Sequence, residues 1–451
     1  MPDAYRAAVV GAGPAGFYAA DQLLAAGFEV DLLDALPTPF GLVRSGVAPD
    51  HPKIKTVTRA YEKTARKPGF RFFGGVTLGE HVSRAELLEH YDGVVYAFGT
   101  ADDNRLGIPG EDRPGSYPAT RFVAWYNGHP DAVDESFDLS AQRAVVIGNG
   151  NVATDVARML LLDPDELAIT DTADHALGPL AAGQVQEVVI LGRRGPVQAA
   201  FTNPELRELG EMAGVDVQVD ASQVDVEVTE DASPTVRRNV EILQGFAARP
   251  PGSAGRRISL KFLRSPVEIL GEGEDGPVSG IRLARNRLED GRAVPTGEEE
   301  VIGCGLVLRA IGYRGRAIDD VPFDERRGLI RNDGGRVCDE EGRSHRGEYV
   351  VGWIKRGPSG VIGTNKKDAA DTVAKIVADA EAGRLPEPAG ADAEATGTWL
   401  RDSVPGVVEW DGWKAIDEHE RALGEPAGRP RVKLVTVDEL VEASRGTPAA
   451  T

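Results

Sequence analysis

The chain has 451 residues, of which 41% are hydrophobic and 27% are charged, and its formal net charge is −20. A single hydrophobic core rarely extends over this length, so we expect two or three domains. The strongly negative charge argues against general nucleic-acid binding, and the sequence holds no apolar run long enough for a membrane-spanning helix.

The first predicted elements are a strand at 6–10, a helix at 14–26 and a second strand at 29–33. Between the first strand and the helix lies the turn GAGPAG, a setting in which backbone N–H groups at a helix N-terminus hold a pyrophosphate. An acid follows the second strand, roughly 20 residues after the turn, where it can bind the free hydroxyls of a ribose. This unit predicts an FAD site whose first candidate residues are Gly11, Gly13, Pro14, Gly16 and Asp34.

A loop rich in proline and glycine comes next, followed by a basic segment. We expect a helix around 56–65, short strands near 70–78 and a buried strand at 94–99. Such a local positive patch on an acidic chain favours an acidic partner, although a solvated helix face explains the charge pattern equally well. With Glu62 as the one acid among them, the basic residues are Lys53, Lys55, Arg59, Lys63, Arg66, Lys67 and Arg71.

A second strand–turn–helix unit begins at Arg143. The turn is GNGNVA, with Gly148 and Gly150, the helix is expected at about 152–162, and the next strand covers 186–191. Arg193 and Arg194 stand at the carboxyl end of that strand, where doubly wound sheets bind their ligands. Arginines there suit a ribose 2′-phosphate and predict NADP; the alternative is that the pair is solvated surface.

The remainder of the chain predicts a return to the first domain. Short strands alternating with acidic turns are expected over 216–300, a strand enters a glycine turn at 306–312, and 358–360 leads into a helix that ends near residue 380. We therefore expect an α/β protein with two Rossmann-like nucleotide-binding domains, the NADP domain being inserted into the FAD domain. The expected divisions are 1–103 and 319–451 for the FAD domain, with a C-terminal extension, and 104–318 for the NADP domain.

The cysteines argue against redox-active thiols and metal binding. Cys304 and Cys338 are far apart and form no CxxC pair, and the seven histidines are scattered, so we expect no metal site. Two buried thiols in a reducing compartment are the simpler interpretation. Because the first strand begins almost at Met1, we expect no targeting peptide and a cytoplasmic location.

Five stretches of the sequence resemble adrenodoxin reductase and its bacterial relatives, the mitochondrial-type ferredoxin–NADP reductases. The resemblance covers the chain from Tyr5 to about Val373, with a looser match around 413–434. It implies a glutathione-reductase-like FAD domain and electron transfer from NADPH to an iron–sulfur protein. The stretches are GAGPAGFYAA, LPTPFGLVRSGVAPDHPKIK, VVIGNGNVATDVAR, LGRRGPVQAAF and VGWIKRGPSGVIGTNKKDA.

The resemblance also implies contacts with FAD. The acid at position 34 is a shorter side chain than the glutamate common in this family, and Gly-Trp stands where disulfide-reductase flavoproteins usually carry Gly-Asp. A helix that begins at Gly360 would direct N–H groups at the flavin. Outside its motif, Trp353 could equally be a core aromatic. The residues implied for FAD are Ala15, Asp34, Leu42, Leu78, Trp353, Gly360, Val361 and Ile362.

For NADP, the resemblance implies a pyrophosphate site at Asn149, Gly150, Asn151 and Val152. It places Arg193 and Arg194 at the 2′-phosphate, Glu205 at the ribose or nicotinamide side, and Gly360 near the coenzyme. His51 and Glu208 match residues that the family places near the flavin, and His51 is a candidate proton relay. A loop histidine satisfied by its surroundings is the competing interpretation.

The implied reaction is hydride transfer from NADPH to FAD, followed by one-electron transfer to a ferredoxin that docks near Lys53, Lys63, Arg66 and Lys67. One alternative is an electron-input subunit of a larger iron–sulfur enzyme, like the small subunit of glutamate synthase. That family usually carries a cysteine-rich N-terminal segment, which this sequence lacks. The other alternative is a non-catalytic NADP-binding protein, and reduction of a bound flavin by NADPH would exclude it.

Overall fold

The computed structural model describes residues 5–250, 252–360, 362–388 and 392–446. Its strands are β1 (Arg6–Val10), β2 (Glu29–Asp34), β3 (Phe70–Gly74), β4 (Gly93–Tyr96), β5 (Asp102–Asp103), β6 (Ser116–Pro118), β7 (Arg143–Ile147), β8 (Glu187–Leu191), β9 (Val215–Val219), β10 (Arg256–Lys261), β11 (Arg264–Gly271), β12 (Val278–Glu289), β13 (Arg292–Gly303), β14 (Leu306–Arg309), β15 (Tyr313–Arg314), β16 (Phe323–Asp324), β17 (Leu329–Ile330), β18 (Asn332–Asp333), β19 (Arg336–Cys338), β20 (Ser344–Val350) and β21 (Val408–Glu409).

The α-helices are α1 (Pro14–Ala25), α2 (Leu42–Ser45), α3 (Pro52–Lys55), α4 (Thr58–Ala65), α5 (Arg84–His90), α6 (Ala119–Tyr126), α7 (Asn151–Leu161), α8 (Pro164–Ala168), α9 (Asp174–Ala182), α10 (Asn203–Leu209), α11 (Ala221–Val224), α12 (Pro234–Ala247), α13 (Trp353–Arg356), α14 (Thr364–Glu381), α15 (Ala393–Ser403), α16 (Trp410–Gly424) and α17 (Val437–Ser444). Short 3₁₀ turns cover Pro130–Ala132, Pro196–Gln198 and Glu425–Ala427. None of the described helices combines the length and the apolar composition that crossing a membrane requires.

The described residues form two compact units. The first comprises residues up to 47, 51–104 and those from 312 onward, and the second comprises 48–50 and 105–311. A second unit is therefore inserted into a first one. The assignment of the first unit to FAD and the second to NADP stays a prediction.

The first unit contains an eight-stranded sheet in the order β18-β19-β20-β4-β1-β2-β3-β21. The five strands from β20 to β3 are parallel to one another, and the flanking strands β19 and β21 pair antiparallel with them. β1 is buried along its whole length, as expected for a parallel sheet covered on both faces. Parallel strands end at the same edge, so the carboxyl ends of β1, β2 and β4 meet there.

Aromatic rings fill one side of the first unit's core. The ring of Phe17 on α1 lies 4.8 Å from that of Tyr61 on α4, and the ring of Phe40 lies 5.5 Å from that of Trp413 on α16. The C-terminal α16 thus packs against the helix layer of the first unit. Burial of each such ring contributes roughly 1.5–3 kcal/mol.

The second unit contains a six-stranded parallel sheet in the order β6-β14-β7-β8-β10-β9, with a separate antiparallel meander of β11, β12 and β13. Val146 of β7 pairs with Ile190 of β8 and Leu308 of β14, and all three are buried. α7 follows β7 directly, so it begins at the carboxyl edge of the sheet.

Some expected elements are wrong. The stretch 216–300 contains the 14-residue helix α12, whose cap Ser233 accepts a hydrogen bond from the Val236 N–H, and two strands of 12 residues each. The segment 70–78 holds the single strand β3, and the predicted helix at Gly360 begins at Thr364. Gly360 has φ of +82°, a left-handed conformation that cannot belong to an α-helix.

Candidate flavin and nucleotide sites

In the first glycine-rich turn, the surrounding backbone leaves no room for a side chain at two of the glycines. Gly11 has φ of +113°, and a Cβ there would lie 2.6 Å from backbone atoms of Phe98. A Cβ on Gly16 would lie 1.9 Å from the Gly11 carbonyl oxygen. The Gly11 N–H donates to the Leu33 carbonyl at 2.7 Å. This hydrogen bond holds the turn against the carboxyl end of β2, and α1 begins directly after Gly13.

The N-terminus of α1 is open to a ligand. Gly13 is the capping residue, Pro14 occupies the first turn, and no side chain caps the helix among the described residues. A Cβ on Gly13 would meet no atom within 4 Å in the described part of the chain. The N–H groups of a first helical turn attract an anion. This geometry fits the pyrophosphate of FAD.

Asp34 is fixed beside this turn at the end of β2. Its carboxylate accepts hydrogen bonds from the N–H groups of Ala12 at 2.7 Å and Leu36 at 2.9 Å. Burial raises the pKa of Asp34 to about 6, against the effect of both amides. Each carboxylate oxygen keeps a further lone pair, so the side chain can also accept from ribose hydroxyls.

The segment that carries Leu42 lies against the same turn. Phe40, with φ of +86°, donates its N–H to the Ala12 carbonyl at 2.8 Å. A Cβ on Gly41 would lie 3.0 Å from the Gly13 Cα atom. Leu42 then starts α2 with 42% of its surface exposed. An apolar side chain is thus presented next to the first turn.

The segment that carries Trp353 lies in the C-terminal part of the first unit and packs close to the first glycine-rich turn. A Cβ on the preceding Gly352, with φ of +77°, would lie 2.6 Å from the Ala15 Cβ atom. The indole ring packs 5.6 Å from the ring of Tyr313. Its Nε1–H is buried, with no acceptor among the described residues. Since a buried indole N–H normally has an acceptor, this orphan donor fits a bound flavin.

The remaining FAD candidates have different environments. Leu78 is a core residue with 8% exposure. Ile362 is partly buried against the core of the first unit, whereas Gly360 is exposed. Val361 lies outside the described residues. Because α14 begins at Thr364, its first N–H groups come later in the chain than expected.

The second glycine-rich turn repeats the geometry of the first. Gly148 has φ of +129°, and a Cβ there would lie 2.1 Å from the Ala310 carbonyl oxygen. Its N–H donates to the Leu191 carbonyl at 2.9 Å. Gly150 caps α7 in an extended conformation, and no described side chain caps this helix. The α7 N-terminus is a second site that fits a pyrophosphate.

The two asparagines of the second turn bind the segment 200–202. The Asn151 side-chain oxygen accepts the N–H of Thr202 at 2.8 Å, and the Asn149 carbonyl accepts the N–H of Ala200 at 2.9 Å. Val152 is partly buried against the core. The Asn151 side chain therefore supports the turn from within the protein, a role that sequence reasoning did not anticipate.

Arg193 and Arg194 follow β8 and are both exposed. Neither guanidinium forms an ion pair with any residue that the structure describes, although acids outnumber bases in this chain by 71 to 51. Two adjacent unpaired arginines at the carboxyl edge of a parallel sheet fit a ligand phosphate, because guanidinium binds phosphate with two parallel hydrogen bonds.

A carboxylate cluster surrounds Arg158 in the second unit. The guanidinium is 2.9 Å from Asp50, 3.0 Å from Asp155, 3.1 Å from Glu205 and 3.6 Å from Glu208. Burial, together with the neighbouring acids and against the pull of Arg158, raises the pKa of Asp155 to about 8. Sequence reasoning singled out Glu205 and Glu208 but missed Arg158. The signal for it was the spacing of Asp155 and Arg158 on one helix face.

His51 belongs to the first unit, where it is 8% exposed and precedes α3. The other catalytic candidate, Glu208, lies in the second unit. A role of His51 in proton transfer stays a prediction.

The predicted docking residues differ in their availability. Lys53, Lys63 and Arg66 are exposed. Lys67 forms an ion pair with Asp21 at 2.7 Å and keeps 40% of its side chain exposed. The exposed basic surface does not extend to Arg71, the last residue of the predicted basic segment. The Arg71 guanidinium lies 2.6 Å from the Asp31 carboxylate and also donates to the Ala393 carbonyl. A buried carboxylate holds this guanidinium inside the first unit, so it does not belong to the exposed basic surface.

Comparison with known proteins places these features in a family context. A family model described as pyridine nucleotide-disulphide oxidoreductase matches residues 5–245. The chain is 51% identical to the NADPH-ferredoxin reductase FprA of Mycobacterium tuberculosis over 98% of this chain and 99% of that protein. It is 41% identical to the mitochondrial NADPH:adrenodoxin oxidoreductase of Salvelinus fontinalis over 98% and 91%.

The fold is shared as well. A solved structure of Mycobacterium tuberculosis FprA in complex with NADPH has a TM-score of 0.92 to this chain at 50% identity, and the match covers 98% of this chain and 100% of that one. The likeness therefore extends over both glycine-rich turns and the C-terminal segment.

Proposed function

The chain belongs to the pyridine nucleotide-disulphide oxidoreductase family and, within it, to the bacterial proteins of the adrenodoxin reductase type, and on this basis we propose which residues bind FAD, NADPH and ferredoxin. The protein is an FAD-dependent oxidoreductase that transfers electrons from NADPH to a ferredoxin, the activity for which its relatives are named. The observation that carries the assignment of the sites is the pair of uncapped helices, α1 beside an acid and α7 in the unit that holds two unpaired arginines.

The first unit is proposed to hold FAD. The α1 N-terminus, from Gly13 to Ala15, binds the pyrophosphate, and Asp34 accepts hydrogen bonds from the ribose. Leu42 offers an apolar contact, and the Trp353 Nε1–H donates to a polar atom of the flavin. Bound FAD supplies the ability to accept a hydride and to release electrons one at a time.

The second unit is proposed to bind NADPH. The α7 N-terminus receives the pyrophosphate, and Arg193 and Arg194 bind the 2′-phosphate. Glu205 is held by Arg158 at 3.1 Å, so we propose that it limits the ribose or nicotinamide side of the site from a fixed position. We propose that the backbone of Gly360 contacts both FAD and NADPH.

His51 and Glu208 are proposed to hold and move protons when the coenzyme reacts. The two ring nitrogens of an imidazole allow it to pass a proton between solvent and a reacting group. The side chain of Glu208 is 43% exposed, and its carboxylate lies 3.6 Å from the Arg158 guanidinium.

The docking surface for ferredoxin is proposed to lie on the helix layer of the first unit. Here α1 packs between α4 and α14. Burial alone would raise the pKa of Asp21 on α1, but Lys67, Thr64 and Lys366 lower it. Positive charge thus reaches α1 from Lys366 on α14 and from Lys67, which follows the C-terminus of α4. Lys53, Lys63, Arg66 and Lys67 form the basic surface that an acidic iron–sulfur protein would meet.

We also propose a cytoplasmic location for the protein. Cys304 and Cys338 are both free and buried, which accords with a reducing compartment.

The test of this function is an anaerobic titration of the purified yellow protein with NADPH, followed by cytochrome c reduction with and without added ferredoxin. We expect the visible absorbance of the flavin to bleach, and turnover to require ferredoxin. A protein that binds NADP without flavin reduction would be a non-catalytic binding protein. Bleaching without ferredoxin-dependent turnover would favour an electron-input subunit of a larger enzyme.

A further inference from the structure

Asn286 is a buried polar residue on β12, in the antiparallel meander of the second unit. Its side chain is close to the arginine turn, and the residue is 6% exposed. The side-chain nitrogen donates to the Arg193 carbonyl at 2.8 Å and to the Ser265 hydroxyl at 2.8 Å. Since a backbone carbonyl can only accept, the amide orientation is determined by this contact.

The turn after β8 is held by the meander at three consecutive carbonyls. The Gly192 carbonyl accepts the Arg264 N–H at 3.0 Å, and the Arg194 carbonyl accepts the Leu263 N–H at 3.1 Å. Between them, the Arg193 carbonyl accepts from the Asn286 side chain, and no other described residue is seen to donate to it. Two of the three anchors are backbone groups that any sequence would provide. The middle anchor depends on one side chain.

Three anchored carbonyls determine the planes of three successive peptides. The directions of the Arg193 and Arg194 Cα–Cβ bonds follow from those planes, so both guanidiniums start from defined positions. Pre-organisation of this kind reduces the entropy lost when the arginines close on a ligand phosphate. If the middle peptide could rotate, the two arginines would not converge on one phosphate.

We propose that Asn286 is a positioning residue for the preference for NADPH over NADH. It orients the Arg193 peptide so that Arg193 and Arg194 bind the 2′-phosphate together. This inference rests on the proposed function, in which those arginines bind that phosphate. Because the Asn286 side-chain nitrogen donates to the Arg193 carbonyl and the Ser265 hydroxyl, its effect should be confined to ligands that carry a 2′-phosphate.

The test uses Asn286→Leu, which removes the amide at similar size and without adding charge. Binding of 2′,5′-ADP and of 5′-AMP to the FAD-loaded protein is measured by calorimetry, since these ligands differ only in the 2′-phosphate. We expect about fivefold weaker binding of 2′,5′-ADP, the effect of one lost hydrogen bond, with 5′-AMP unchanged. In steady-state kinetics, KM for NADPH should rise with little change in kcat.

Ser265→Ala is the matched control, because it removes the other acceptor of the Asn286 amide and leaves the Arg193 contact in place. It should retain the wild-type ratio of the two affinities. If Asn286→Leu does not fold, Asn286→Ala removes the same amide. In an Arg193→Ala, Arg194→Ala background, Asn286→Leu should have no further effect on the affinity for 2′,5′-ADP.

The outcomes separate this inference from the function on which it rests. If the wild type binds 2′,5′-ADP no better than 5′-AMP, the proposed NADPH site itself is contradicted. If the wild type prefers 2′,5′-ADP and Asn286→Leu keeps the same preference, only the role of Asn286 is overturned. Equal weakening of both ligands would also overturn it, since that result indicates a general loss of structure.

Discussion

The carboxylate of Glu420 is fully buried and accepts hydrogen bonds from both terminal nitrogens of Arg44, at 2.8 and 2.5 Å, across 376 positions of sequence. Arg431 adds an ion pair at 3.1 Å, and the Leu434 N–H donates at 2.9 Å. Burial alone would raise the pKa of Glu420, but the two arginines lower it below its ordinary value. Because Arg44 is part of α2, the C-terminal segment holds the helix that begins with Leu42.

We expect Glu420→Ala to destabilise the first unit and to speed the loss of FAD. The change leaves the Arg44 guanidinium, whose side chain is 9% exposed, without its counter-charge, and breaking a buried ion pair typically costs about 3–5 kcal/mol. Thermal unfolding and the rate of flavin release, followed by fluorescence, measure the effect. Glu418→Ala is the control, since Glu418 is exposed on the same helix. Equal flavin release in wild type and Glu420→Ala would show that α2 does not need this anchor.

Trp353→Phe should weaken FAD binding and shift the flavin absorbance maximum. Phenylalanine keeps an aromatic ring but lacks the buried Nε1–H, and a lost hydrogen bond costs about 1 kcal/mol, or roughly a fivefold change in Kd. Reconstitution of the apoprotein with FAD gives both quantities. Trp399→Phe is the control in the same unit, because that ring stacks on His90 at 4.0 Å. Identical FAD affinity and spectra in the wild type and in Trp353→Phe would indicate a purely structural tryptophan.

The double change Arg193→Ala, Arg194→Ala should raise KM for NADPH by about a hundredfold or more and leave NADH nearly unaffected. Each lost charged hydrogen bond is worth roughly 1.5–3 kcal/mol, although neighbouring effects often fail to add. The 2′-phosphate lies far from the hydride, so kcat should change little. Steady-state kinetics with both coenzymes provides the test, with Arg238→Ala on the exposed face of α12 as the control. Equal kcat/KM for both coenzymes in the wild type would make these arginines ordinary surface charges.

Charge reversal at Lys63 and Arg66 should raise KM for an acidic ferredoxin and reduce its dependence on salt. The Debye length falls from ~30 Å at 0.01 M to ~8 Å at 0.15 M ionic strength, so electrostatic attraction should weaken over that range. Ferredoxin-dependent cytochrome c reduction at several salt concentrations measures it. Arg326→Glu, another exposed position of the first unit, is the control. A KM insensitive to salt, and unchanged in the double reversal, would rule out docking on this surface.

Asp155 should make the protein less stable as the pH rises from about 4 to 8. Its pKa is about 8 in the folded protein against an ordinary value of 3.8. Over that range the unfolded chain releases the proton while the folded chain keeps it, so stability present below pH 4 is lost as the pH rises. Asp155→Asn should flatten this slope in urea unfolding curves between pH 5 and 9. Asp275→Asn, at an exposed turn of the same unit, should not, and an unchanged slope in Asp155→Asn would contradict the raised pKa.

What the sequence determined by itself lies within short segments. Gly11, Gly16 and Gly148 were recognisable from their motifs, because a close backbone approach at all three, together with a positive φ at Gly11 and Gly148, allows little else. Asp34 and the two arginines were placed by counting along the first and the second βαβ unit respectively, because strand, turn and helix have nearly constant lengths in such a unit. The family resemblance added the implied role of Trp353, which no local pattern indicated.

Only the tertiary structure shows the contacts between segments that are far apart in the chain. Asn286 binds Arg193, Arg44 binds Glu420, and Arg158 is met by Asp50, Glu205 and Glu208. Single residues of this kind leave no periodic signal, because their partners are chosen by packing rather than by spacing. The helix begins at Thr364 instead of Gly360 for the same reason. The positive φ of Gly360 depends on the path that the chain takes there, and the sequence does not show which glycines have a positive φ.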